Sequence, residues 1–312
     1  MLETLTVAIP VFGFVAAGFA LAKTPLFDEA KVKGLTAYVF WFAVPLLLFR
    51  GGAALARGEG GGFELGALAA YFGASAAIYL AAFAVNALAF RGKGAEPPLA
   101  AMTAAYANSV MMGIPLSELV FGAPGLAVAT GVVACSAILY YGVTTLLIES
   151  RIGGGESFGA ILKQTAAGIL RTPVILAMAT GLAFGWAGLE AHPVAQRFID
   201  IGAAAAAPTA LFALGATIAG FKIAGDLAEA SAISILKLAV NPVLAWAIAG
   251  PVLALQPTTV AAVVMMAALP CAVNPFLLAS RYEAYTRRAS AAIVISTAAS
   301  IVTVSIAMAL AR

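Results

Sequence analysis

"NSVMMGIPLSELVFG", residues Asn108–Gly122, is the stretch that decides how this chain folds. It sits in a long apolar region, yet Asn108, Ser109, Gly113 and Pro115 fall where an unbroken membrane helix would be plain. Proline removes a backbone donor and clashes with the carbonyl four residues back. In lipid each orphaned backbone group costs several kcal/mol, so an interrupted helix is tolerated only against protein or a wet cavity. The stretch therefore predicts a helix broken around Gly113 to Pro115, with the break facing something polar.

The rest of the chain supplies the membrane setting. Of its 312 residues 63% are hydrophobic and only 10% charged, with a mean hydropathy of +1.02. A soluble domain carries about 25% charged residues, so this chain cannot cover a soluble surface and reads as a polytopic membrane protein. The net charge of +3 is small, and no basic run is dense enough to bind nucleic acid. Cys135 and Cys271 both lie in apolar stretches and read as small buried hydrophobes. The one histidine, His192, stands in a loop beside Pro193. Nucleophile–base catalysis has almost nothing to work with, and no metal spacing is present. Neither enzymatic activity nor a cofactor is expected. The N-terminus, "MLET", lacks a basic region and runs into an apolar stretch, so it reads as a first membrane helix, not a cleavable signal.

A span needs about 20 mostly apolar residues. Segments that qualify are 4–22, 34–54, 64–90, 98–121, 125–149, 173–189, 198–221, 231–254, 258–280 and 286–311. Residues 157–171, with Lys163 and Arg171, read as an interfacial amphipathic helix. With the N-terminus outside, 13 of the 17 Lys and Arg fall on cytoplasmic connections and only Arg50, Arg57, Arg197 and Arg312 remain outside. That bias predicts both termini outside.

The two halves also resemble each other. "VPLLLFRGGA" (44–53) and "APTALFALGA" (207–216) share Pro45/Pro208, Leu48/Leu211, Phe49/Phe212, Gly52/Gly215 and Ala53/Ala216, all at an offset of 163. Pro97 and Pro115 of the fourth span meet Pro257 and Pro275 of the ninth at an offset of 160. Five spans per half put the second copy upside down, the inverted-repeat plan of secondary carriers. The domain expectation is a first repeat over 1–149, a cytoplasmic linker over 150–172 and a second repeat over 173–312.

The ninth span carries its own break, "LPCAVNPF" (269–276), between Pro270 and Pro275 with Asn274 in the gap. If the two breaks cross, two half-helix N-termini bring partial positive charge and free N–H groups to one place. Such a place suits a carboxylate.

Four stretches resemble the auxin efflux carrier family: "YVFWFAVPLLLF" (38–49), "NSVMMGIPL" (108–116), "PCAVNPFLLASRY" (270–282) and "RRASAAIVISTAASIVTV" (287–304). The family includes bacterial malonate-type carriers and plant auxin exporters, and the resemblance covers nearly the whole chain. It implies an all-α protein of ten transmembrane helices in two inverted five-helix repeats, like the bile-acid sodium symporters, with broken helices four and nine crossing. It implies a scaffold of spans 1, 2, 6 and 7, a moving domain of the other six, and a homodimer through scaffold helices two and seven. The short centre fits a minimal bacterial carrier in the cytoplasmic membrane. Asn108, Gly113, Pro115, Pro270 and Pro275 match the family's motifs, whereas Asn274 departs from an apolar position in the plant exporters.

Other polar residues add to the candidate substrate set. Tyr106 lies just before Asn108. Ser296, Ser300 and Thr303 share one face of the tenth span, and Ser136 and Tyr140 occupy the fifth. Such hydroxyls serve either helix packing or cavity lining. The expected substrate set is Tyr106, Asn108, Ser109, Gly113, Pro115, Ser136, Pro270, Asn274, Pro275, Ser296 and Ser300. Glu118 is either solvated near the outer interface or proton-linked. Asn86 and Asn241 read first as interhelical glue, and Lys237 as a side chain that snorkels to the interface.

The expected function is a secondary transporter of small organic anions working by alternating access, with lipid as its solvent. The bile-acid-type sodium sites use acidic and amide side chains around the crossing, where this sequence offers only Asn108 and Asn274, so sodium coupling is disfavoured. A sodium-coupled organic-anion symporter and a non-transporting membrane receptor are the rival readings.

Overall fold

The computed structural model describes residues 2–59, 64–153, 172–221 and 227–310. Among these, every regular element is helical, and the one departure is an isolated antiparallel bridge between Ala107 and Cys271. The expected amphipathic helix over 157–171 lies outside the described residues.

Among the described residues six helical stretches are long and apolar enough to cross a membrane: Glu29–Ala56, Leu65–Ala89, Ser109–Ile152, Pro193–Ala219, Leu227–Val252 and Thr286–Ala309. Shorter apolar helices occupy Ile9–Ala22, Pro173–Trp186 and Pro257–Ala267. In chain order the α-helices are α1 (Leu2–Ala22), α2 (Glu29–Tyr38), α3 (Val44–Ala56), α4 (Leu65–Ala84), α5 (Glu96–Ala105), α6 (Ile114–Ile152) and α7 (Pro173–Trp186). They continue as α8 (Pro193–Ala204), α9 (Ala206–Ala219), α10 (Leu227–Ile235), α11 (Asn241–Ala247), α12 (Pro257–Ala267), α13 (Asn274–Arg281) and α14 (Thr286–Leu310). Five π-helical turns interrupt them, among them Ser109–Gly113 before α6 and Leu236–Val240 between α10 and α11.

Local chemistry explains the ends. Asp28 caps α2 by accepting from the Lys31 amide at 3.0 Å, and that bond holds its carboxyl below the usual range. His192 is a cap too: its Nδ1 accepts from the Val194 amide at 3.3 Å at the start of α8. The turn expected between the fourth and fifth spans is a single residue, Gly122 (φ 63°, ψ −143°), inside α6. Only glycine takes such a conformation without strain.

By internal packing the chain divides into two units. The first holds Met1–Leu65, Ser109–Val133 and Leu170–Gly220; the second holds Gly66–Asn108, Ala134–Ile169 and Phe221–Arg312. Each takes segments from both halves of the chain.

The first unit is built on backbone-to-backbone helix contacts. A Cβ at Gly18 of α1 would strike the Phe212 carbonyl of α9, and one at Gly215 of α9 would strike the Val15 carbonyl of α1. Between α3 and α7, a Cβ at Gly181 would strike the Phe49 carbonyl, and one at Gly52 would lie 2.8 Å from the Met178 carbonyl. Adding 163 to Val15, Gly18, Phe49 and Gly52 gives Met178, Gly181, Phe212 and Gly215, so the offset exchanges one pair of contacts with the other. Each glycine is followed four residues on by another small residue: Ala22, Ala56, Gly185 and Ala219. Small-xxx-small faces let helices approach where lipid offers no hydrophobic drive.

The second unit contains a buried core running from Ile78 to Ile293, rich in alanine and including Leu99, Met102, Tyr106, Tyr140 and Cys271. Glu229 and Lys237 are also wholly enclosed in it. The expectation that Lys237 snorkels is therefore corrected. It sits in the π turn Leu236–Val240, packed against α5, α10, α11 and α14, and its side chain is 0% exposed.

Candidate substrate site

The break of the fourth span falls earlier than the Gly113–Pro115 expected: α5 ends at Ala105 and Tyr106 turns extended (φ −80°, ψ 107°), while Gly113 and Pro115 lie in helical turns, the proline in the first turn of α6, where its missing N–H is not needed. Helix α12 ends at Ala267, before Pro270, which cannot continue a helix and disfavours helical geometry at Leu269. Pro275 lies at the start of α13, where its missing N–H is not needed. The two non-helical segments pair with each other. Asn108 N donates to the Pro270 carbonyl at 2.9 Å, and Ala272 N donates to the Tyr106 carbonyl at 2.9 Å, about the Ala107–Cys271 bridge.

Side chains complete the repair. The Cys271 amide donates to Ser296 Oγ at 3.1 Å, and Ser296 in turn donates to the Ile293 carbonyl at 3.2 Å. Asn241 Nδ2 donates to the Ala267 carbonyl at 3.2 Å, and Thr303 Oγ1 to the Ala268 carbonyl at 3.4 Å, at the C-terminal end of α12. Helix ends buried in lipid need such partners. Asn241, read from the sequence as glue, closes the end of a half-helix. Ser296→Ala should strand the buried Cys271 amide. A loss of about 1–3 kcal/mol is expected, read as earlier thermal unfolding in detergent, with Ser296→Thr largely restoring it.

Aromatic rings wall the crossing on one side. Tyr106 stacks on Tyr140 with centroids 4.9 Å apart and planes at 27°, and meets Tyr141 edge-on at 6.4 Å. Tyr141 OH donates to the Asn274 carbonyl at 3.4 Å. Ser136 and Ser300 are buried on α6 and α14, while Asn274 is half-buried. Asn108 is only 6% exposed, and its Nδ2 has no acceptor among the described residues.

Tyr106, Asn108, Ser136, Pro270, Asn274, Pro275, Ser296 and Ser300 thus all belong to the second unit. Ser109, Gly113, Pro115 and Glu118 belong to the first. There Glu118 pairs with Arg50, which also lies 3.6 Å from Asp200. A cavity of about 240 Å³ in the first unit is lined by Phe49, Arg50, Arg57, Glu59, Phe184 and Gln196, among others, and by none of the predicted substrate residues.

The family of proteins described as "Membrane transport protein" matches residues 4–308. The chain belongs to this family, that of the auxin efflux carriers. Among relatives of this transporter, a protein of Rhizobium meliloti named "Putative malonate transporter" is 29% identical over 314 residues, covering 98% of this chain and 95% of the relative. A Methanothermobacter thermautotrophicus protein named "Uncharacterized transporter" is 29% identical over 207 residues, 64% of each chain.

Two features of the transporter escaped sequence reasoning. Glu229 Oε1 accepts from Asn86 Nδ2 at 2.6 Å and Tyr285 OH at 2.8 Å, while Oε2 lies 3.1 Å from the Arg288 guanidinium. Arg288 also stands 3.4 Å from Glu96. Burial, with the Glu229 carboxylate alongside, holds the Tyr285 phenol far above its usual value, so it remains a donor. The signal was a lone acid just ahead of an apolar window, outside the span expected at 231–254. The second feature is Lys237, a cation inside "SILKLAVNPV" (234–243).

Proposed function

We propose that this transporter carries small organic anions, carboxylates above all, and holds them at the crossing of the α5 and α12 breaks. One observation carries the reading: the Asn108 amide nitrogen, nearly enclosed beside that crossing, donates to nothing among the described residues. A buried unsatisfied donor is costly, and a carboxylate oxygen is its natural acceptor. The N-terminal end of α13, with Asn274 and Pro275, adds partial positive charge. The relative named for malonate supports a carboxylate substrate.

The architecture behind this reading is ten spans in two inverted halves, 1–149 and 173–312, joined by 150–172. The four glycine contacts that exchange under an offset of 163 support it. Transport proceeds by alternating access, with an elevator-type movement of the crossing-bearing helices against a scaffold of spans 1, 2, 6 and 7. The protein works as a homodimer through spans 2 and 7 in a bacterial cytoplasmic membrane, with both termini outside.

The test is electrical. Protein in liposomes on a solid-supported membrane is pulsed with a panel of carboxylic acids in sodium-free buffer. Currents for one class of acids, weakened about 10- to 100-fold in apparent affinity by Asn108→Ala, are the expected result. Currents that require sodium would move the reading to a sodium-coupled symporter. Binding without flux under either condition would make the protein a receptor, and unchanged affinity in Asn108→Ala would remove the site from the crossing.

A further inference from the structure

Arg288 Nη1 faces the carboxylates of Glu96 and Glu229, but two other nitrogen donors of the second unit, Asn108 Nδ2 and Lys237 Nζ, have neither a hydrogen-bond acceptor nor an ion-pair partner among the described residues. Lys237 is 0% exposed. An ammonium brings three N–H groups and a full charge, and no carboxylate pairs with it among the described residues. Asn241, one turn further along, does not serve as its acceptor, since Asn241 Oδ1 is also unpartnered. Both stand on segments packed against the break that follows α12. The turn that carries Lys237 packs against α5 and leads into Asn241, whose Nδ2 holds the Ala267 carbonyl at the end of α12. Asn108 is bonded through its own amide to the Pro270 carbonyl.

Ionisable side chains inside a membrane are expensive and mark substrate or ion paths. Asn108 is neutral, and a helix terminus offers only about half a charge. Those groups suffice for one carboxylate. A full positive charge beside them is in excess until a second negative charge arrives, and the flexible four-carbon stem of lysine lets its head follow a ligand.

We propose that Lys237 is the counter-charge for the second carboxylate of a short dicarboxylate whose first carboxylate is held by Asn108. The inference rests on the carrier reading above and narrows its substrate class to dianions.

The experiment uses the full chain in detergent, with malonate and acetate as probes, followed by affinity titration and thermal unfolding. The wild-type protein is expected to prefer malonate by about tenfold or more. Lys237→Met should weaken malonate to the level of acetate, leave acetate within about twofold, and unfold without ligand no earlier than wild type. Lys237→Arg should keep a preference for malonate. If Lys237→Met proves unstable, Lys237→Gln carries the same readout.

Malonate affinity unchanged in Lys237→Met but lost in Asn108→Ala overturns the inference and leaves the carrier reading standing. Affinity unchanged in both variants overturns both. Earlier ligand-free unfolding in both Lys237→Met and Lys237→Gln, with the malonate preference intact, would assign the lysine a packing role and likewise overturn the inference.

Discussion

Glu229→Ala is expected to destabilise the second unit by about 3–5 kcal/mol, the cost of breaking a buried ion pair by removing one partner. The carboxylate is wholly enclosed and joins three neighbours: Asn86 beyond α4, Tyr285 before α14 and Arg288 within it. With alanine in its place, Arg288 keeps Glu96, at 3.4 Å, as its ion-pair partner among the described residues. Asn86, wholly buried, loses the acceptor of its Nδ2. Glu229→Gln keeps the shape and one acceptor, so it should cost less. Thermal unfolding in detergent reads the effect, with a fall of roughly 10 °C expected for alanine. Unfolding of Glu229→Ala at the wild-type temperature would mean that the cluster carries no net stability.

The second large effect is expected at Gly215→Leu. Its Cβ would overlap the Val15 carbonyl, and a backbone oxygen cannot rotate away as a side chain can. The helices α1 and α9 must then separate or shift along each other. Overpacking of a tight core costs typically 1–3 kcal/mol, and a leucine against backbone should reach about 3 kcal/mol or more. Gly18→Leu, on the facing helix, should behave alike, since its Cβ would strike the Phe212 carbonyl. Gly13→Leu is the control: it lies on the same helix as Gly18, with nothing within 4 Å of its Cβ. Unfolding temperatures equal for Gly215→Leu and Gly13→Leu would show that close backbone approach does not hold this unit together.

These two sites differ in how far the sequence announces them. Gly52 and Gly215 stood out because they recur in register with proline, leucine and phenylalanine, and their contacts then exchanged under the same offset. Repetition is visible along the chain. Glu229 was not visible. An acid at the edge of an apolar window looks the same whether it faces water or partners inside the protein, and the partners here are distant in the sequence, Asn86 by 143 residues and Tyr285 by 56.

The crossing divides in the same way. Pro270 and Pro275 act through the geometry of their own backbone, so the break at α12 could be read directly. Nothing local said that the segment at Tyr106–Asn108 would pair with Pro270–Ala272, or that Ser296, Asn241 and Thr303 would satisfy the amide and carbonyls left over. Lys237 was misjudged for the related reason that snorkelling depends on what surrounds the stem.

The sequence by itself determined that this protein belongs in a membrane, that it is built of apolar helices, that some of them are interrupted, and which family of carriers it joins. Those properties follow from hydropathy, proline chemistry and motif, each a property of neighbouring residues. Only the tertiary structure decided which polar groups meet: which break bonds to which, which carboxylate takes Arg288, and which donors, Asn108 and Lys237, are left over. In a low-dielectric interior the fate of a polar group depends on its partners, and segments far apart in the chain supply them.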